Sequence, residues 1–251
     1  MNIFLAQMAS QSMRVSEIVW SAFMTSDSLS KGIVVLLGVG SITAWCIIGT
    51  KILTMISCSR TVDGFMKTYD KTRSPLTMGL FLEKESGPLK NVCEVGLKEL
   101  CNVLGIEESK RLLFYKSGSI AKKLSPSDLE KIRVSMNRQV NLEVLALESG
   151  MPILSICVTV APFLGLFGTV WGVMGTFMAI ANTGAAELTA LAPGISGALL
   201  TTVVGLFVAI PSVLFNIIIN GIQNKVCLRM DVFLDDFVAS LSLENAGETQ
   251  Q

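Results

Sequence analysis

The chain is dominated by long apolar runs, without the short hydrophobic and polar alternation of a soluble domain. Between residues 151 and 220 the only charged side chain is Glu187. The apolar run on either side of this acid exceeds the roughly 20 residues needed to cross a bilayer core. The pattern therefore predicts two antiparallel transmembrane helices, at 151–181 and 195–221, joined by a short turn at 182–194.

An earlier apolar run predicts a first transmembrane helix at 32–56. Its only charge, Lys51, lies near one end, where its aliphatic stem can place the ammonium group at the headgroups. The preceding segment, 1–31, has apolar residues at helical spacing, which favours an amphipathic helix in the membrane interface. A loosely ordered terminus is the alternative.

Residues 57–150 form the one large polar region and have the periodicity of a helical domain. The segment 125–128, Ser-Pro-Ser-Asp, is typical of a helix start. Apolar residues recur at three- and four-residue spacing from Leu129 to Leu147. This rhythm predicts one long helix that continues directly into the second span. Residues 222–251 predict a C-terminal helix followed by a polar tail.

The distribution of basic residues predicts the orientation in the membrane. Most of the 20 lysines and arginines fall within 57–150, and none lies between the second and third predicted spans. Because cytoplasmic loops carry the excess of basic residues, the 57–150 domain is predicted to be cytoplasmic. The N-terminus and the 182–194 turn are then on the opposite side of the membrane, and the C-terminus is cytoplasmic.

Composition excludes several classes of function. Hydrophobic residues make up 51% of the chain, the formal net charge is zero, and there is no histidine. The six cysteines are scattered, so we expect neither a metal site nor a disulfide framework. No phosphate-binding glycine loop and no pairing of a nucleophile with a base is present. We therefore predict no enzyme activity, no cofactor and no nucleic-acid partner.

Small residues follow one stripe on each helix of the pair. Such residues let helix backbones approach closely in lipid, where packing drives association. We assign helix packing to Gly165, Gly168, Gly172 and Gly205, together with Pro162 and Pro211.

Threonines share these stripes, and two interpretations of them stay open. Thr169, Thr176, Thr201 and Thr202 can each bond back to a carbonyl of their own helix. Alternatively, they line a polar pathway between the helices. No Asp, Glu, Lys or His lies well inside a predicted span, so a chain that handles protons needs a titrating group from another chain.

Three motifs carry a family resemblance. The segments 161–174 (APFLGLFGTVWGVM), 192–202 (APGISGALLTT) and 205–211 (GLFVAIP) resemble the TolQ/ExbB family, which is distantly similar to the flagellar stator subunit MotA. Segments 41–48, 134–138 and 233–241 are similar to TolQ in particular. The resemblance implies an all-α membrane protein with three transmembrane helices and long cytoplasmic helical extensions. It also implies assembly as a ring, a pentamer, around a central pore.

The resemblance implies a multi-pass subunit of the bacterial inner membrane, driven by the proton motive force. A TolR/ExbD-like single-span partner would bring an intramembrane aspartate into the pore. The assembly would energise a TolA/TonB-like protein that serves envelope integrity and division. The alternatives are an ExbB-type role in TonB-dependent uptake across the outer membrane and a non-conducting membrane scaffold. A MotA-type role is disfavoured because MotA has four spans.

By motif position, the two pore threonines of the family fall on Thr169 and Thr202, which would face the aspartate of the partner. Thr176 and Thr201 are further candidates for the pore lining and lie closer to a packing role. Gly197 occupies a pore position at which the family usually has glutamate. That departure implies either a different proton route or a role in assembly.

Overall fold

The computed structural model describes Glu17, Ile120 and residues 19–72, 74–117, 123–183 and 188–247. None of these residues lies in a β-strand, which confirms the predicted all-α class. A helical stretch at 19–25 precedes the named helices. The α-helices are α1 (Ser28–Thr72), α2 (Pro75–Met78), α3 (Pro88–Leu104), α4 (Arg111–Ser117), α5 (Pro126–Glu148), α6 (Met151–Thr183) and α7 (Leu188–Gly247), with short 3₁₀ turns at Leu82–Lys84 and Glu108–Lys110.

Three of these helices, α1, α6 and α7, are long and apolar enough to cross a membrane. Helical structure extends beyond the predicted spans. The first span lies within the longer helix α1, and α7 continues from the third span through the predicted C-terminal helix without a break. Because α7 already begins at Leu188, residues 188–194 are helical although they were expected in the turn. Glu187 and most of the predicted segment 1–31 lie outside the described residues.

The chain forms two compact units. The first unit comprises Met1–Gly49 and Gly150–Ile217, and the second comprises Thr50–Ser149 and Ile218–Gln251. In the first unit, α1, α6 and α7 meet in a small apolar cluster of Ile33, Leu37, Ala161, Val208 and Ala209. Many large apolar side chains remain outside this cluster; Phe207, for example, is 76% exposed. An apolar outer surface of this kind suits a helix that faces lipid.

The second unit has a core of large side chains. Phe233 lies at the centre of a ring cluster that we define as Phe65, Tyr69, Phe233 and Phe237, with centroids 5.0–5.9 Å from that of Phe233. Helices α3 and α5 pack beside it. Gly96 leaves the space for this packing, since a Cβ there would lie 2.7 Å from Met136 Sδ and 3.1 Å from a Phe237 ring carbon.

The sequence predicted the start of α5 but not its end. Ser125 and Asp128 form a reciprocal capping box at its N-terminus, as the Ser-Pro-Ser-Asp segment indicates. The expected continuous helix into the second span is wrong, because α5 ends at Glu148 and Gly150 adopts a φ of 78°. Pro152 explains the break, since its ring would clash with a carbonyl of a continuing helix.

Lys51 has hydrogen-bond partners that the sequence did not indicate. Its ammonium group donates to the Leu147 carbonyl at 3.0 Å and to the Ser149 hydroxyl at 3.2 Å. The last carbonyls of a helix lack partners within the helix, and a cation there also interacts favourably with the helix dipole. Lys51 therefore caps the end of α5 in this structure, and its predicted location at the headgroups stays a prediction.

Candidate functional site

Helices α6 and α7 lie against each other in an antiparallel register that brings their small residues together. Gly165 opposes Gly205, Gly172 opposes Ala198, and Thr176 opposes Gly194. We call this contact the threonine seam and define it by Gly165, Gly168, Thr169, Gly172 and Thr176 of α6 with Gly194, Ala198, Thr201, Thr202 and Gly205 of α7.

Glycine is required along the seam because the backbones are so close. A Cβ at Gly165 would lie 2.9 Å from the Thr201 carbonyl oxygen, and one at Gly205 would lie 2.7 Å from the Ala161 carbonyl oxygen. At Gly172 an added Cβ would lie 2.7 Å from the Ala198 Cβ. Backbone atoms cannot move aside as a flexible side chain can, so the predicted packing role of these glycines has a direct steric basis.

Three threonine hydroxyls converge on one carbonyl. The hydroxyls of Thr169, Thr201 and Thr202 lie 3.1, 2.9 and 3.1 Å from the Gly165 carbonyl oxygen. That oxygen has two lone pairs, and in an α-helix one of them accepts a backbone N–H. The hydroxyls therefore compete for a single acceptor. At any moment at least two of them must donate elsewhere.

The competing hydroxyls differ in access. Thr201 is completely buried and has a second acceptor, the Ala198 carbonyl, at 2.7 Å. Thr169 and Thr202 are only half-buried, and their hydroxyls are in direct hydrogen-bond contact with each other. This places Thr201 in the packed interface, whereas Thr169 and Thr202 form a pair that another chain can reach.

The remaining predicted site residues occupy distinct places. Thr176 is half-buried and donates to the Gly172 carbonyl at 2.9 Å, as a threonine bonded back to its own helix does. A Cβ at Gly168 would lie 2.5 Å from the Thr201 hydroxyl, so this glycine makes room for Thr201. Pro162 and Pro211 are half-buried inside α6 and α7.

Gly197 lies against the N-terminal helical stretch of its own chain. A Cβ there would lie 2.5 Å from the Ser26 hydroxyl oxygen and 3.2 Å from the Ala22 carbonyl oxygen. The position is buried. Its predicted role in the pore lining stays a prediction, and within this chain no larger side chain fits without displacing residues 22–26.

One acid that the sequence analysis did not select lies near the seam. Asp27, just before α1, accepts a hydrogen bond of 3.1 Å from the Trp171 indole nitrogen of α6. The other charged residues in the described part of the first unit are Glu17 and Lys31. The signal was available, because Asp27 is the last acid before the first apolar run. Periodicity alone does not show that it reaches α6.

The described residues contain no cluster of His, Cys, Asp or Glu that could hold a metal ion. The site is therefore a set of neutral hydroxyls and one carboxylate between membrane helices. These hydroxyls can donate or accept a hydrogen bond, and the carboxylate can accept one, from a hydronium ion or from the carboxyl group of a neighbouring chain.

Comparison with known proteins shows the family of this chain. Residues 105–232 match the family described as the MotA/TolQ/ExbB proton channel family. The chain is 36% identical over 145 residues to the Tol-Pal system protein TolQ of Haemophilus influenzae, which covers 53% of this chain and 60% of that protein. It is 30% identical over 220 residues to the biopolymer transport protein ExbB of Pseudomonas putida, covering 81% of this chain and 57% of that protein.

A third relative is matched over nearly its whole length. The TolQ of Pseudomonas aeruginosa is 26% identical over 229 residues, covering 88% of this chain and 91% of that protein. For the first two relatives the match spans only 60% and 57% of their length. The family match includes the whole threonine seam. The chain belongs to the MotA/TolQ/ExbB proton channel family.

Proposed function

We propose that this chain forms the pore ring, a pentamer, of a proton-driven motor in the bacterial inner membrane. In this arrangement the ring encloses the single-span helices of a TolR/ExbD-like partner, whose intramembrane aspartate faces Thr169 and Thr202. Proton passage past that aspartate drives a TolA/TonB-like protein. The N-terminus is periplasmic and the C-terminus is cytoplasmic.

The observation that carries the proposal is the accessible hydroxyl pair of Thr169 and Thr202. Thr169 has a further acceptor in the Ala198 carbonyl at 3.2 Å, so when Thr169 or Thr201 occupies the Gly165 carbonyl, Thr202 is the donor that can turn towards a carboxylate. A hydroxyl can also accept a hydrogen bond from a protonated carboxyl group. The pair can therefore solvate either protonation state of the partner's aspartate, which is what a proton carrier needs in a medium that offers little water.

The acid must come from the partner because the ring helices lack one at this depth. In the described parts of α6 and of α7 within the first unit, no residue is charged. Each proton that crosses 100 mV supplies about 2.3 kcal/mol. Several protons together then suffice for a large conformational step.

A threonine-to-valine comparison tests this proposal. Thr202→Val keeps the shape of the side chain and removes the hydroxyl. Thr159→Val is the matched control, because Thr159 is an exposed residue of α6 that bonds back to Ser155 at 3.0 Å. We expect Thr202→Val to abolish envelope function while the variant still co-purifies with its partner, and Thr159→Val to behave as wild type. Normal function of the assembled Thr202→Val variant would contradict the motor and favour a passive scaffold.

The Tol role and the ExbB role require a separate test, since relatives of both kinds match this chain. We favour the Tol role because the match covers 91% of the TolQ of P. aeruginosa but 57% of the ExbB of P. putida. A strain without the gene should then leak periplasmic proteins and divide in chains, with normal iron uptake from chelates. Loss of chelate uptake with an intact envelope would assign the ExbB role.

A further inference from the structure

We propose that Asp27 takes up protons for the threonine seam from the side of the membrane at which α1 begins. The inference rests on the proposed function and adds to it a carboxylate of this chain. Three observations support it: a cavity beside Asp27, a hydrogen bond to its carboxylate and the lack of room for an acid at position 197.

Asp27 opens onto a cavity of mixed polar and apolar lining that reaches the seam. The cavity has a volume of about 350 Å³ and is lined by residues that include Thr25, Asp27, Trp171, Gly172, Thr176 and Gly194. It therefore touches the segment just before α1, the second half of α6 and the beginning of α7, all within the first unit. A cavity of this size has room for several waters beside the Asp27 carboxylate.

A side chain of α6 orients the Asp27 carboxylate. The Trp171 indole N–H donates to Asp27 Oδ2 at 3.1 Å, which directs the carboxylate to the cavity wall beside Gly172. No lysine neutralises it within the described residues. The Lys31 ammonium group, one turn along α1, donates to the Met24 carbonyl at 2.9 Å and forms no ion pair with Asp27.

No further titratable group faces this carboxylate from the described parts of the helices packed around it. Helix α6 carries no charge, and α7 carries none within the first unit. On α1 the neighbouring charge is Lys31. Asp27 is thus the only described carboxylate among the residues that line the cavity.

The cavity and Thr169 of the hydroxyl pair lie along one face of α6. Thr176 lines the cavity, and Thr169 lies two helical turns further along the same face of α6, about 10 Å away. Gly172 packs against Ala198 between these two threonines, so waters can bridge the distance only along the open side of the seam. A hydronium ion gives its proton to the Asp27 carboxylate and leaves as water. The carboxylic acid then passes the proton to a cavity water, and the carboxylate is restored.

Position 197 cannot supply this acid. A Cβ alone would lie 2.5 Å from the Ser26 hydroxyl oxygen, so a glutamate would displace the helical stretch before α1. Ser26 is the direct neighbour of Asp27. The helical stretch that fills the space at Gly197 is followed by Asp27, whose carboxylate therefore lies near the Thr176 and Gly194 end of the seam.

Proton flux into vesicles tests the inference. The chain is reconstituted with its aspartate-bearing partner under a potential and a pH gradient, and flux is measured against the pH on the Asp27 side. Asp27→Asn keeps an oxygen acceptor for Trp171 but cannot ionise. We expect flux to fall about 100-fold, the low end for a positioned proton-transfer group. Asp27→Glu should restore most of it, and Glu17→Gln is the control acid substitution and should leave it unchanged.

A spectroscopic readout keeps the test independent of activity. In a Trp20→Phe and Trp45→Phe background, Trp171 emission should titrate with the pH on that side, and Asp27→Asn should abolish the titration. Wild-type flux in Asp27→Asn, or emission from Trp171 that does not change with pH, would overturn the inference. A wild-type assembly without any flux would instead contradict the proposed function itself.

Discussion

The two units of this chain are packed on opposite principles. The threonine seam of the first unit brings glycine backbones against a neighbouring helix and joins the helices through hydroxyls. The ring cluster of the second unit fills its interior with large aromatic side chains. In the first unit the aromatic side chain of Phe207 is on the outside, and in the second unit that of Phe233 is fully buried, although both belong to α7.

The difference follows from the two solvents. In water, burial of apolar surface drives folding, so the largest side chains contribute most when they are inside. In lipid there is no such drive between helices, and close backbone contact together with interhelical hydrogen bonds takes its place. The seam is therefore the part of the molecule where a small change of shape should matter most. The ring cluster is the part where loss of volume should matter most.

The largest effect is expected from truncation in the ring cluster. Phe233→Ala should lower the free energy of unfolding by about 3–5 kcal/mol, because it removes a fully buried ring and leaves a cavity. Phe207→Ala, on the same helix but exposed, should cost less than about 1 kcal/mol. Denaturant titration of the purified chain in detergent measures both. Equal losses of unfolding free energy in the two variants would show that large side chains contribute alike in both units.

A single added methyl group should disturb the seam. Gly165→Ala would place a Cβ 2.9 Å from one backbone atom of α7 and 3.0 Å from another, and overpacking of this kind costs about 1–3 kcal/mol. Gly175→Ala is the control, because no heavy atom lies within 4 Å of its added Cβ. It should be neutral or stabilising, since alanine favours helix by up to about 1 kcal/mol. The same titration reports both variants, and a neutral Gly165→Ala would contradict the close register.

A smaller effect is expected from the ion pair between Asp63 and Arg229 of the second unit. Both side chains are 35% exposed, so water screens the interaction. A double-mutant cycle with Asp63→Asn and Arg229→Met should give a coupling of about 0.5–1 kcal/mol. The coupling should shrink in high salt. A coupling that does not change with salt would show that the pair is shielded from water.

The smallest effect concerns a thiol in the second unit. Burial raises the pKa of the Cys93 thiol above its ordinary value. The thiol then stays neutral in the folded chain while it ionises in the unfolded chain above about pH 8.5. Its contribution to stability is therefore complete below that pH and is lost as the pH rises. Cys93→Ala should flatten the alkaline part of a stability profile. An unchanged profile would contradict a dry interior around Cys93.

Much of the fold could be predicted because composition and length constrain it strongly. The apolar runs place the three spans within α1, α6 and α7. The start of α5 follows from local chemistry, since Ser125, Pro126 and Asp128 determine it without help from the rest of the chain. The end of α5 was missed because an unbroken apolar rhythm hid the effect of Gly150 and Pro152.

The site was harder to predict because helical spacing shows which residues share a face but not what covers that face. Thr201 and Thr202 are adjacent in the sequence, yet one is fully buried and the other is accessible. Gly197 belongs to the same stripe and meets Ser26 of its own chain. Asp27 could be recognised only when the hydrogen bond to Trp171 was visible.

The central claim is that the ring chain supplies hydroxyls and a proton-uptake group, while the acid at the seam comes from a partner. The direct measurement is proton current in vesicles that contain this chain alone, compared with vesicles that also contain its aspartate-bearing partner. We predict no sustained current from the chain alone and a current with the partner, which is lost when the partner's aspartate is replaced by asparagine. A sustained current from the chain alone would contradict the account.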